Sequence, residues 1–320
     1  MSKVQFAAID IGSNAVRLLI KSASTEDTED KLQKLLMVRV PLRLGQESFV
    51  NGKISSAKEK KLIKLMKAFK HLMSVYDVES VRACATSAMR DAKNAKSLVK
   101  EIYKSTDIQI EVIDGKVEAD IIYQSHFADT LNKKNNYIFV DVGGGSTEIS
   151  LVVEGEMTLS LSYNIGTVRL LNNMVDEAEY ERMYADLAEI ASQHTISDIV
   201  GSGGNIIKLN TLASVPRNAK LSLKKLENLY EAMKLKTVDE LIETYKLRPD
   251  RADVIVPAAS IYINIAKAIK VERFIVPKVG LADGLTHILF ENWKNKKAKK
   301  EAKHASEISK QLESAEEPEE

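Results

Sequence analysis

The sequence predicts an α/β protein of two domains, and three observations carry that prediction. Short β-branched runs alternate along the chain with longer stretches of helical periodicity. An apolar run ending in Asp, a glycine turn and a second apolar run occur together twice, with the two aspartates, Asp10 and Asp141, 131 residues apart. This spacing reads as one structural repeat per domain. The chain has 320 residues and is 44% hydrophobic, more than one core usually serves.

Taken in order, Val4–Ile9 and Arg17–Ile20 read as strands flanking Asp10-Ile11-Gly12-Ser13-Asn14. Met37–Leu42, Val81–Ala85 and Ile108–Ile113 are further strands, short and rich in β-branched residues. Residues 56–76 predict a helix, with Ser56 and Glu59 as a capping box and Leu62, Leu65, Met66, Phe69, Leu72, Met73 and Tyr76 at helical spacing. Its other face carries Lys58, Lys60, Lys61, Lys64, Lys67 and Lys70, read as a solvated face rather than a polyanion dock. Tyr137–Val140 and Ile149–Val153 flank the second turn, which runs from Asp141 to Glu148. Ile196–Val200 leads into a third glycine turn, Gly201-Ser202-Gly203-Gly204-Asn205, and a helical stretch from Ile206. Helices are expected over 176–194, 222–234, 237–246 and 251–270, a strand over Arg273–Val276 and a last helix over Asp283–Trp293. Residues 296–320 hold six lysines and seven acids and are expected to fray into disorder. The expected domains are 1–127 and 128–295, with the last helix free to return to the first domain.

The charge balance of 46 Lys and Arg against 45 Asp and Glu removes the simplest evidence for a nucleic-acid binder. The single cysteine, Cys84, excludes an internal disulfide and sits in an apolar strand, as a buried structural thiol would. No apolar run approaches the roughly 18 residues of a membrane span. With an N-terminus opening directly into a strand, this leads to the expectation of a cytoplasmic protein without membrane partners. The Leu- and Met-rich helix could pair two copies as a homodimer. The five histidines show no metal-ligand spacing and are expected at the surface.

An Asp at a strand end followed by small residues suits phosphate and magnesium chemistry. Turn N–H groups converge on an anion, missing side chains admit a phosphoryl group, and the carboxylate can hold Mg²⁺ directly or through water. Ser13, Asn14, Ser146 and Thr147 add neutral donors. Neither turn ends in Gly-Lys-Ser/Thr, so neither is a Walker A loop.

The ordered set resembles the actin, sugar-kinase and heat-shock-chaperone superfamily. Within it, the chain is similar to the exopolyphosphatase and guanosine pentaphosphate phosphohydrolase (Ppx/GppA) family. The matching stretches are Asp10–Asn14, Thr86–Arg90, Gly115–Ala119, Asp141–Glu148, Gly201–Asn205, Arg251-Ala252-Asp253 and Asp283-Gly284. The resemblance implies two actin-like (ribonuclease H-like) domains with a phosphate cleft between them, and hydrolysis of a terminal phosphoryl group by water. By the same resemblance, Glu118 is the general base and Asp10, Asp141 and Glu148 hold Mg²⁺. Gly12, Ser13, Asn14, Gly143, Gly144, Gly145, Ser146 and Thr147 cradle phosphate, and Arg90 neutralises charge. The third turn contributes Gly203, Gly204 and Asn205, and Arg17 and Arg251 are the favoured polyanion contacts, ahead of Arg43 and Arg169.

Three positions depart from the family pattern. Ala15 replaces a second serine, Val117 replaces a glutamate, and Asp120 replaces an arginine. Asp120 is expected to raise the pKa of Glu118 by repulsion if the two are close. The leading expectation is a Mg²⁺-dependent exopolyphosphatase acting on inorganic polyphosphate. Because longer relatives carry added C-terminal helical domains, a weaker grip on long polymers is expected. Guanosine pentaphosphate (pppGpp) is the alternative substrate. An ATP-dependent kinase or a non-catalytic alarmone-binding regulator are readings of other classes.

Overall fold

The computed structural model describes residues 3–24, 32–125, 130–216 and 218–315, the side chains of 304–315 excepted. The expected domain junction at 127, His126, the His304 side chain and the last five residues lie outside the described set.

The first sheet is built from β1 (Lys3–Ile11), β2 (Val16–Ser24), β3 (Gln33–Val40), β4 (Val78–Ala85) and β5 (Ile110–Val112), in the order β3-β2-β1-β4-β5. Its helices are α1 (Leu44–Asn51), α2 (Ser56–Val75), α3 (Ser87–Asp91), α4 (Ala95–Thr106) and α5 (Gly115–Tyr123). β1–β2 and β2–β3 pair antiparallel, whereas β4 and β5 are parallel to β1.

The second sheet contains β6 (Asn136–Val142), β7 (Thr147–Val153), β8 (Glu156–Tyr163), β9 (Ile196–Ser202), β10 (Leu221–Ser222) and β11 (Arg273–Ile275). Between them lie α6 (Thr167–Leu171), α7 (Glu177–Gln193), α8 (Gly203–Leu212), α9 (Leu223–Lys234), α10 (Val238–Tyr245) and α11 (Pro249–Ala268); α12 (Leu281–Ala315) closes the chain. The order β8-β7-β6-β9-β11 repeats that of the first sheet, with β10 added at the edge. The protein is therefore α/β, built on two sheets of the same strand order.

Side-chain alternation decides what each sheet face carries. On β1, Ala7, Ile9 and Ile11 enter the core shared with α2 and α4, whereas Phe6 and Ala8 point to the opposite face, against α5 and α12. Asp10 continues that second set. On β6, Ile138, Val140 and Val142 join the large core with α11, and Tyr137 and Phe139 face the other way. Asp141 continues this second set too. Period two thus aims both strand-end carboxylates at the seam between the sheets, where α5 lies.

Helix α5 is gripped from both sides. Ile121 and Ile122 pack with Leu281 and Leu285 of α12, while the Tyr123 ring meets Phe139 edge-on at 5.7 Å. α12 itself returns to the first sheet, where Phe290 and Trp293 pack on Phe6.

Several expectations are corrected. Ser55, not Ser56, caps α2, accepting from the Lys58 N–H; its backbone is extended (φ −68°, ψ 153°), as a cap requires. Glu59 forms no capping box: with Ser55 as the cap the third helical position is Lys58, and the Ser55 N–H donates to Glu47 Oε2 at 2.8 Å. Leu62, Met66 and Met73 of that helix are buried in its own core, which removes them as a dimer face. The final helix extends well past Trp293, through Ala315, in the segment expected to be disordered. The helix after the third turn begins at Gly203 rather than Ile206. His287 is buried, not superficial, lying on the inner side of α12.

Candidate active site

The two Asp-x-Gly turns fold alike. Gly12 N–H donates to Ala15 O (3.1 Å) and Gly143 N–H to Ser146 O (2.9 Å). Turn carbonyls are drawn away from the seam by the starts of two helices. Gly45 N–H donates to Ser13 O and Arg43 N–H to Asn14 O; Thr167 N–H donates to Gly143 O and Val168 N–H to Gly144 O. The N–H groups of Ser13, Asn14 and Gly144 donate to no carbonyl among the described residues. They are the backbone donors an anion nest needs. The turns also touch: a Cβ on Gly144 would lie 2.9 Å from Ser13 Cβ.

Between the turns opens a cleft of about 220 Å³. Asp10, Gly12, Ser13, Asn14, Arg17, Glu118, Asp141, Gly143, Gly144, Ser146, Gly203, Gly204, Asn205 and Arg251 line it. Ala15 lines it as well, with a methyl. Gly203 starts α8 with φ +82°, a conformation open to glycine, and a side chain there would also meet Asp141 Oδ1 at 2.3 Å.

Four sequence-predicted residues lie off the cleft wall. Gly145 is covered by Phe49 and Ser87, either of which a Cβ would meet at 2.3 Å. Thr147 is buried, with its hydroxyl donating to Ile165 O. Arg90 donates to Ile113 O at 3.0 Å, although its charge still reaches Glu118 and Glu148. Glu148 stands behind Asp141, its Oε1 accepting from Ser162 Oγ at 3.1 Å. Within the cleft, the Asn14 amide already donates to Asp250 O at 2.9 Å, so it ties the first turn to α11.

The acids are crowded and dry. Glu118 is held well above the usual glutamate range, first by burial and then by Glu148, Asp141 and Asp10. Burial lifts Glu148 to about 7 and Asp141 to about 6. Repulsion from Asp120 is not what raises Glu118: two positions on, Asp120 points to another side of α5 and responds to its own burial and to Asp114. Glu118 Oε2 is buried without a hydrogen-bond partner. Its position depends on two close approaches. A Cβ on Gly115 would strike Ser162 Oγ at 2.2 Å, and one on Gly284 would strike Ile121 O at 1.9 Å.

Sequence reasoning missed several groups around the cleft. Arg39 and Lys278 also line it, as do Thr86, Ser87 and Thr167. Ser87 Oγ is 2.8 Å from Ser13 Oγ. The neighbouring Thr86–Arg90 motif was a signal for Ser87; nothing local marked Arg39. Arg43 pairs with Asp253 across the domains, and Arg169 latches them by donating to Gly145 O and pairing with Asp91. Cys84 is buried, and its thiol is pushed up to about 12 by burial, so it is inert. Among the described residues no helix is long and apolar enough to cross a membrane.

Two sheets of one topology that turn paired anion cradles and a buried carboxylate toward a single cleft define a phosphoryl-handling enzyme. The Ppx/GppA phosphatase family model matches residues 23–292, and the chain belongs to that family. It is 25% identical to the Ppx/GppA family member of Aquifex aeolicus, over 92% of this chain and 99% of that one, with a TM-score of 0.73. An exopolyphosphatase from Cytophaga hutchinsonii is 22% identical over 90% of this chain and 98% of its own, with a TM-score of 0.78, a likeness of fold. Over 168 residues the chain is 30% identical to a bifunctional 3-dehydroquinate synthase/phosphatase of Fusobacterium nucleatum, covering 51% of this chain and 25% of that one. The chain thus spans about a quarter of that relative's length.

Proposed function

We propose that the protein removes terminal orthophosphate from inorganic polyphosphate by water attack, with Glu118 as general base. The observation that carries this reading is the Glu118 carboxylate, which lines the cleft with Oε2 buried and unpartnered. A water between Glu118 and a phosphoryl group seated on the two turns would satisfy that oxygen and lie where a base must reach it. The N–H groups of Ser13, Asn14 and Gly144 would hold the equatorial phosphoryl oxygens, over which charge spreads in a loose in-line transition state. As the water oxygen bonds to the terminal phosphorus its proton passes to Glu118, the bridging P–O bond breaks, the shortened chain leaves as an oxyanion, and Glu118 returns its proton to product or solvent. The raised pKa of Glu118 brings its basicity toward that of the proton it must take.

Among the described residues, no group of three or more His, Cys, Asp or Glu side chains is set to hold a metal ion by itself. The donor chemistry nevertheless fits Mg²⁺, which keeps several waters and uses one or two carboxylates with the substrate's phosphates. Asp141 on the cleft wall would hold it, with Glu148 behind and Asp10 opposite, through water. When bound it would supply positive charge to the phosphoryl oxygens. Burial first, and neighbouring carboxylates second, raise these acids' pKa values, and a bound cation would favour their charged forms.

No aromatic side chain lines the cleft among the described residues, so a nucleobase has no ring to stack on. That favours a bare phosphate chain over pppGpp. Phosphate release from defined-length polyphosphates and from pppGpp, with Mg²⁺, tests the reading. Faster release from pppGpp at equal concentration would reassign the substrate. Unchanged release by Glu118→Gln would remove the base.

A further inference from the structure

The chain crosses from one sheet to the other just before its last helix. β11 ends at Ile275 in the second sheet, and Leu281 opens α12, which packs on the first. The crossing runs along the cleft, where Val279, Gly280 and Asp283 form part of the wall.

Asp283 holds the crossing with both carboxylate oxygens. Oδ2 accepts from the Gly280 N–H at 3.1 Å, while the Asp283 N–H donates to Gly280 O at 2.9 Å. Oδ1 pairs with Lys21 Nζ at 2.7 Å. Lys21 lies on β2, on the face that Leu19 turns toward Leu281 and Leu285. Capping of α12 accounts for the Gly280 bond, since a carboxylate in the first helical turn can reach back to the cap N–H. It does not account for Lys21. The two side chains are only 15% and 22% exposed, and an ion pair withdrawn from water returns little net stability. The pair is better explained by the position it fixes.

What rests on the crossing is Gly203. Its N–H donates to Val279 O at 3.2 Å, and a Cβ on Gly280 would lie 4.0 Å from Gly203 Cα. On its other side Gly203 abuts Asp141, as the 2.3 Å approach of a Cβ there to Asp141 Oδ1 records. An unbroken set of contacts therefore leads from Lys21 in the first sheet to the carboxylate at the end of β6.

We propose that Asp283 is a positioning residue: anchored by Lys21, it sets the Val279–Gly280 crossing and so the Gly203 backbone that holds the Asp141 carboxylate in its Mg²⁺-binding orientation. The inference rests on the reading above in which Asp141 holds the ion.

Thermal melts over a MgCl₂ series, without substrate, give the Mg²⁺ concentration at half the full rise in melting temperature. Asp283→Ala is expected to raise that concentration about tenfold or more, the scale of contacts that orient a metal ligand. Its kcat for phosphate release should fall by a similar factor, with KM for polyphosphate changed less than about twofold. Asp283→Asn keeps an acceptor for the Gly280 N–H, and Lys21→Met keeps the whole cap; each loses the ion pair and is expected to shift the Mg²⁺ midpoint by a smaller factor in the same direction. These two variants decide the matter if Asp283→Ala does not fold. Wild-type Mg²⁺ midpoints in both would reduce Asp283 to a helix cap and overturn the inference. Tighter Mg²⁺ binding by Lys21→Met would mean that the freed carboxylate meets the ion itself, which also overturns it. Asp141→Asn, melted alongside, separates the two readings. Loss of the Mg²⁺ response there, with a wild-type response in Asp283→Ala, sinks the positioning role alone; a wild-type response in Asp141→Asn sinks the metal reading and the positioning role with it.

Discussion

The two Asp-x-Gly turns share a backbone and differ in what stands beside them. Asp10 lies opposite Arg17 in the first sheet, whereas Asp141 lies opposite Glu148 in the second. One strand further out, the first row continues to Arg39 and the second to Ser162. The first row is therefore compensated and then cationic. The second is a buried carboxylate pair with Glu118 added; burial raises all three acids, and repulsion from Asp141 adds to it at Glu118 and Glu148. One scaffold, duplicated, has become an anion-gripping half and a cation-seeking half. Phosphate bound with its counter-cation would need both, so a net charge of +1 is compatible with the polyanion substrate proposed above.

The largest expected effect comes from Glu118, the helix acid that joins the second row. Glu118→Gln should cut phosphate release by about 100- to 10,000-fold, the range typical of a positioned base, while oligophosphate binding persists. Loss of binding and turnover together would place Glu118 in the grip rather than in the chemistry.

The sharpest test of the difference is a matched pair of substitutions. Asp10→Asn leaves Arg17 without its carboxylate and should destabilise the metal-free protein by about 1–3 kcal/mol. Asp141→Asn removes a buried charge among like charges and should raise the metal-free melting temperature while weakening its response to Mg²⁺. Shifts of the same sign in thermal melts of the two variants would break the comparison.

Gly284→Ala probes the support beneath Glu118. Its methyl would meet Ile121 O, so a cost of about 1–3 kcal/mol from overpacking is expected, with kcat falling more than KM rises as α5 moves. A melting temperature and kcat equal to wild type would show that α5 and α12 separate freely.

The smallest effect is a pH dependence of stability. Asp141 and Glu148 have folded pKa values of about 6 and about 7, above the ordinary carboxylate range they return to on unfolding. Between those ranges the native state binds more protons than the unfolded one, so metal-free stability should fall as pH rises from about 4 to about 7. Mg²⁺ should then raise the melting temperature more at about pH 8 than at about pH 5.5. An equal Mg²⁺ shift at both would mean that these acids do not meet the ion.

Much of the fold was legible because its determinants are local. The apolar runs before Asp10, Asp141 and Gly201 became β1, β6 and β9, and the periodicity over 56–76 became α2. β8 carries the period-two signal of a half-buried strand, Met157, Leu159, Leu161 and Tyr163 alternating with polar residues, but no continuous apolar run of the kind that marked the predicted strands. The capping error at Ser56 is of another kind: Ser55 and Ser56 offer the same hydroxyl one residue apart. Tertiary contacts of Glu47 with the Ser55 N–H and of Glu59 with Asn94 decide between them.

The candidate site divides along the same line. Alternation along β1 and β6 is enough to send Asp10 and Asp141 to the faces opposite Ile9 and Val140, and the glycine turns declare themselves by composition. These properties depend on residues within a few positions of one another. Which charge stands beside each aspartate depends on strand register, and which acids crowd Glu118 depends on α5 being held between two sheets by contacts more than 100 residues away in sequence, Ile121 with Gly284 among them. Arg90 moved off the wall and Arg39 onto it for that reason. The chain alone determined the turns and the direction of their carboxylates; only the apposition of the two domains decided their electrostatics, because Coulomb interactions act through space and burial, not along the sequence.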